Sequence, residues 1–122
     1  HDIQPELEDF FDMPLKYSKP IQALLYREGH FFKPHKDDIQ EEDRNYRKIT
    51  TVFFLNQQGQ NANEGDYTGG DFNLYGLFPK FPNQKFTVPN QKNTMIAFKA
   101  DTIHEVTPIT SGERCTLVIW FS

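Results

Sequence analysis

"TIHEVTPITSGERCTLVIWFS", residues 102–122, decides the fold. Its second half alternates strictly, with Arg114, Thr116, Val118 and Trp120 on one face and Cys115, Leu117, Ile119 and Phe121 on the other. A period of two over β-branched and aromatic residues predicts a strand with two distinct faces. "TIHEVTPI" (102–109) is a second β-rich run, and "TSG" (110–112) has the composition and length of a turn joining antiparallel neighbours.

Working outward, the same grammar recurs. "KITTVFFLN" (48–56) is β-branched and aromatic throughout and reads as a well-buried strand. "DFNLYG" (71–76) stops at Gly76, while "KFTV" (85–88) and "TMIAF" (94–98) read as short strands around the irregular, proline-bearing "LFPKFPNQ" (77–84). "IQALLYREGHFF" (21–32) is read as a strand or hairpin that bends at Gly29 and ends near Asp37. Only Pro5 to Phe11 suggests helix, and "QQGQNANEGDYTGG" (57–70) reads as a long flexible connection. Seven or so short strands predict a mostly β chain, a sandwich or barrel with little helix, near the N-terminus.

At 122 residues the chain, 1–122, is expected to be one domain with one core. Twelve Phe and five Tyr agree with strands. A formal charge of −4 and the lack of any Lys/Arg stripe argue against a nucleic-acid partner. No apolar run is long enough to span a bilayer, so no membrane association is expected. The lone Cys115 sits in an apolar run and hints at a reducing compartment, which makes the expected location cytoplasmic. A chain that starts with His1 instead of Met is expected to be a processed or excised piece.

Chemistry concentrates in "HFFKPHKDD", residues 30–38. In an extended chain His35 and Asp37 project to one face, while His30 and Asp38 project to the other. An imidazole and a carboxylate on one face can share a metal ion, and taken alone the pair is as easily an ordinary surface pair. Of the remaining histidines His1 is terminal, which leaves His104 as the third ligand. Two imidazoles plus one carboxylate form the facial triad of non-haem Fe(II) oxygenases; a closed zinc site would want a fourth protein ligand. Arg114, a cation leading an otherwise apolar strand face, asks for an anion, and its planar fork suits a carboxylate.

With these residues in view, the chain resembles the 2-oxoglutarate and Fe(II)-dependent oxygenases, specifically their prolyl 4-hydroxylase-like branch. The resemblance runs from Tyr26 to Phe121 through "YREGHFFKPHKD", "TVFFLN", "YTGGDFNLYG" and "AFKADTIHEVTPITSGERCTLVIWF". It implies a double-stranded β-helix, or jelly roll, with His35, Asp37 and His104 as iron ligands and Arg114 as the partner of the distal carboxylate of 2-oxoglutarate. Tyr26 matches a tyrosine that hydrogen-bonds the co-substrate, Trp120 an aromatic near the site, and Val52, Phe72 and Leu74 apolar positions around the co-substrate. The chain departs at Phe54, where some relatives carry a tyrosine that also binds the distal carboxylate; Tyr26 or Thr116 is then expected to compensate.

The resemblance implies Fe(II), 2-oxoglutarate and O2, with ascorbate a further candidate, and hydroxylation of an unactivated C–H bond. Halogenating relatives replace the carboxylate ligand with a small residue, so Asp37 favours hydroxylation. The expected substrate is a prolyl residue in a peptide or protein. The alternatives are a free amino acid or other small metabolite, and, from another class, a catalytically silent jelly-roll binding module. The polar stretches 38–47 and 57–68 flank the expected mouth as candidate lids, with two solvated surface loops as the plain alternative.

Overall fold

The computed structural model describes residues 3–15, 21–37, 47–60 and 66–122. Among the described residues one helix, α1 (Gln4–Phe11), precedes ten strands: β1 (Gln22–Tyr26), β2 (Phe32–His35), β3 (Ile49–Phe54), β4 (Tyr67–Gly69), β5 (Phe72–Tyr75), β6 (Lys85–Val88), β7 (Met95–Lys99), β8 (Ile103–Val106), β9 (Ile109–Gly112) and β10 (Arg114–Phe121). They form two four-stranded sheets, ordered β1-β10-β3-β7 and β2-β8-β5-β6, and a two-stranded sheet β4-β9, with every named pairing antiparallel. The mostly β, jelly-roll expectation holds.

Facing sheets bury Val52, Phe54, Phe72, Leu74, Val88, Phe98, Val106 and Val118 between them. Each such side chain removed from water contributes about 1.5–3 kcal/mol, which makes this cluster the main source of cohesion. A second cluster, Leu7 and Leu15 with Ile49 and Phe121, docks α1 on the outside of the β1-β10-β3-β7 sheet. Pro5 fits the first turn of α1, where no N–H partner is needed, and Asp12 ends the helix in the left-handed region at φ 52°.

Three local expectations are corrected. Residues 110–112 are no turn: with Ile109 they form β9, and Gly112 at φ 78° lies against the backbone of Asp66 and Tyr67. The strand beyond them, β10, pairs with β1 and β3 and never with β8. Residues 67–69, read as part of a flexible connection, are β4, and Tyr67 within it is fully buried. The 21–37 region makes two strands that do not form a hairpin, because β1 joins β10 in one sheet and β2 joins β8 in the other. Of the two candidate lids, residues 38–46 and 61–65 lie outside the described residues. Among the described residues no helix is long and apolar enough to cross a membrane.

Candidate metal centre and co-substrate cavity

β2 is an edge strand, which is why it tolerates Pro34 without losing a ladder hydrogen bond. It carries His35 to a position directly across from His104 on β8, the two rings 4.1 Å apart between centroids. Asp37 follows just after β2, its N–H donating to the Ala100 carbonyl at 2.7 Å. That bond turns the carboxylate inward: Asp37 Oδ1 lies 3.3 Å from His35 Nε2 and Oδ2 lies 3.2 Å from His104 Nε2. One ligand atom from each residue falls within 4.8 Å of the others.

The proton positions follow from the neighbours. His35 Nδ1 sits 2.7 Å from the Lys33 carbonyl and His104 Nδ1 sits 2.9 Å from the Thr102 carbonyl. A carbonyl only accepts, so each Nδ1 carries a proton and donates, leaving Nε2 to present a lone pair. Two lone pairs and a carboxylate then converge at about 3 Å, an arrangement that a cation between them relieves. This donor set, N2O with an open face, fits Fe(II). Burial pushes the His35 imidazole below its ordinary value, favouring the neutral form a metal needs.

Asp37 is itself held. Burial pushes its carboxyl up, but a hydrogen bond and charge from His104 when that ring is doubly protonated, with hydrogen bonds from Thr50 and Trp120, outweigh burial and hold it below the usual carboxylate range. Thr50 Oγ1 donates to Asp37 Oδ2 at 2.9 Å and Trp120 Nε1 donates to the same oxygen at 3.3 Å. Both come from adjacent strands, β3 and β10, where Thr50 and Trp120 are register partners. Thr50 was not among the residues expected from sequence. Its signal was there, since two consecutive threonines in an otherwise apolar buried strand must find acceptors.

A cavity of about 360 Å³ opens beside the three ligands. Its wall is built in register: Tyr26, Leu24 and Gln22 of β1 oppose Arg114, Thr116 and Val118 of β10, and all six line it. Val52, Phe72 and Trp120 also line it, as the resemblance implies; Leu74 does not. Leu74 lies opposite His104 in the register, one pleat beyond Phe72, and faces a second hollow with Val88 and Ile96. His30, which alternation sets aside, accepts a hydrogen bond on Nδ1 from the Arg27 N–H in the turn between β1 and β2.

Arg114 is 3% exposed, and among the described residues no carboxylate pairs with it. Its guanidinium lies 5.5 Å from the centre of the Tyr26 ring and 5.6 Å from those of Phe54 and Phe72. Its Nε and the nearby Thr116 Oγ1 are buried without a hydrogen-bond partner. A buried cation and an orphaned hydroxyl on one cavity wall fit an incoming carboxylate. Burial also raises the Tyr26 phenol above its ordinary value, so it stays a neutral donor. At the mouth, the Arg47 guanidinium stacks 3.9 Å above the Trp120 ring.

A family model described as the 2OG-Fe(II) oxygenase superfamily matches residues 21–122. A PKHD-type hydroxylase of Nitrobacter winogradskyi is 38% identical over 72 residues, covering 59% of this chain and 27% of that protein. Among solved structures, a Pseudomonas putida prolyl-4-hydroxylase superposes with a TM-score of 0.75 at 21% identity, over 98% of this chain and 60% of that one. A prolyl hydroxylase of Trichoplax adhaerens, solved with a peptide fragment of hypoxia inducible factor, gives 0.68 at 20% identity, over 88% of this chain and 45% of that one. The chain thus spans less than two thirds of each of these proteins, and the structural likenesses establish the fold.

Proposed function

The chain belongs to the 2OG-Fe(II) oxygenase superfamily, and from that premise we propose that its cavity binds Fe(II) and 2-oxoglutarate and hydroxylates an unactivated C–H bond, with a prolyl residue of a peptide or protein as substrate. The observation that carries this reading is Arg114, a buried cation without an acid partner among the described residues, in the same cavity as His35, Asp37 and His104. A metal cluster alone suits many reactions. An anion receptor beside it suits a dicarboxylate with a metal-chelating end.

Each residue then has a task. His35, Asp37 and His104 hold the metal, and the Lys33 and Thr102 carbonyls keep both imidazoles in the tautomer that presents Nε2. Arg114 takes the distal carboxylate in bidentate fashion, with Thr116 Oγ1 and the Tyr26 hydroxyl as further donors on the same wall. Val52, Phe72 and Val118 keep water from the chain between the two ends. Fe(II) with 2-oxoglutarate and dioxygen supplies the oxidising chemistry: one oxygen atom enters the substrate C–H bond, and the other enters the succinate formed with carbon dioxide.

A peptidyl prolyl substrate is supported by the PKHD-type hydroxylase and prolyl hydroxylase relatives. The cavity supports it too, since Phe32, whose ring lies 4.0 Å from that of His35, and Trp120 both line it and offer aromatic surface on which a pyrrolidine ring can pack. Anaerobic titration of the Fe(II)-loaded protein with 2-oxoglutarate should raise a weak visible charge-transfer band. Mass spectrometry of aerobic mixtures should then show a gain of one oxygen on proline-containing peptides. The absence of any band argues for a silent binding module, and oxygen gain on free amino acids alone moves the substrate to small molecules.

A further inference from the structure

We propose that Arg47 is a positioning residue for the metal centre, acting through the Trp120 indole on the carboxylate of Asp37; the role rests on reading His35, Asp37 and His104 as metal ligands. The Arg47 guanidinium carbon lies 3.9 Å from the centre of the Trp120 ring, and Trp120 Nε1 donates to Asp37 Oδ2 at 3.3 Å. Three side chains stand in series, and only the last is a ligand.

The backbone sets the series up. Arg47 immediately precedes Lys48, whose N–H donates to the Phe121 carbonyl at 2.7 Å. That bond fastens the approach to β3 against the end of β10, one residue from Trp120. Arg47 and Trp120 both line the cavity that Asp37 lines.

A cation over the face of an indole draws π density toward itself and leaves the N–H edge more positive. Groups bonded in series polarise one another, so this N–H holds a carboxylate oxygen more strongly than a bare indole does. At 3.3 Å the Trp120 bond is longer than the 2.9 Å bond from Thr50 to the same oxygen, and it has the more to gain. The stack also restricts the ring, so its N–H stays on Oδ2. Coulomb's law acting through space alone predicts the opposite sign: a cation beside a cation site repels the metal, and removing it would tighten binding.

The test is calorimetric titration with Fe(II) under argon. Arg47→Met keeps the length of the side chain without the charge and should lower Fe(II) affinity about three- to fivefold, with Arg47→Lys in between. Trp120→Phe keeps a ring but has no N–H, and in that background Arg47→Met should change Fe(II) affinity by less than about twofold. Trp120 is the chain's single tryptophan, so the emission of the metal-free protein reports the stack directly, and Arg47→Met should alter it. Equal or higher Fe(II) affinity in Arg47→Met overturns the proposal. So does an unaltered emission spectrum, or a loss that is as large in the Trp120→Phe background. Failure of the unsubstituted protein to bind Fe(II) overturns the metal-centre reading and this inference together, and is recognised without any variant.

Discussion

His35 and His104 are direct cross-strand partners on β2 and β8, with Asp37 inserting a carboxylate oxygen against the Nε2 of each. The triad is therefore a property of one strand pairing plus one loop residue. Its members stand or fall together.

His35→Ala and Asp37→Ala should each lower Fe(II) affinity by more than the 10- to 100-fold typical of an outer partner, and abolish substrate-dependent succinate formation. Neither side chain belongs to the apolar core between the sheets, so the circular dichroism spectrum should keep its β signature. Full activity in His35→Ala would sink the ligand assignment.

Thr50→Val removes the 2.9 Å hydrogen bond to Asp37 Oδ2 and leaves a near-isosteric side chain. Trp120 Nε1, at 3.3 Å, is then the remaining side-chain hydroxyl or indole donor to that oxygen. Fe(II) affinity should fall about tenfold, with the 2-oxoglutarate affinity of the Fe(II)-loaded protein changed far less, because Thr50 lines the cavity but Arg114, Thr116 and Tyr26 are unaltered. Calorimetric titration with Fe(II) under argon measures the first, and an affinity equal to that of the unsubstituted protein would show that Asp37 needs no support from β3.

How much of this was legible follows from where the information sits. Strand alternation is local, so β10, β3 and β6 could be read from their own residues, and the inward row Arg114, Thr116, Val118, Trp120 came with them. Pairing is not local. Thr50 meets Asp37 because the Asp37 N–H docks on the Ala100 carbonyl and the Ala100 N–H on that of Lys48, just before β3, and Tyr67 meets Gly112 only because β4 and β9 pair. Gly112 misled for a physical reason: Thr-Ser-Gly is turn chemistry, and φ 78° is a turn-like angle, yet the residue is used for close approach inside a strand. The split of Leu74 from Phe72 was equally out of reach, since both share one face of β5 and only depth in the barrel separates them.

Gly112→Ala tests that reading of β9. A Cβ there would stand 2.2 Å from the Asp66 carbonyl oxygen and 2.9 Å from Tyr67 Cα, both backbone atoms that cannot rotate away. With the positive φ added, the loss of stability should be about 2 kcal/mol or more, read as a lower denaturant midpoint at constant slope. A stability change within about 0.5 kcal/mol would mean that β4 and β9 separate freely.

Arg114 sets function against stability. Burial pushes its guanidinium below the ordinary value, the mark of a cation held where charge is costly, and among the described residues no acid offsets it. Arg114→Ala should weaken 2-oxoglutarate binding at least about thirtyfold, since a buried charge pair loses 2 kcal/mol or more when one partner is truncated. Arg114→Met fills the volume without the charge and should lose 2-oxoglutarate binding as fully, yet leave the ligand-free protein as stable or more so. Arg114→Lys keeps the charge but not the fork, so its affinity should lie between that of the unsubstituted protein and that of Arg114→Ala. Melting curves without ligand and anaerobic titrations with it separate these effects. A marked drop in the melting temperature of Arg114→Met would show that the surrounding rings of Tyr26, Phe54 and Phe72 stabilise the cation more than burial costs it.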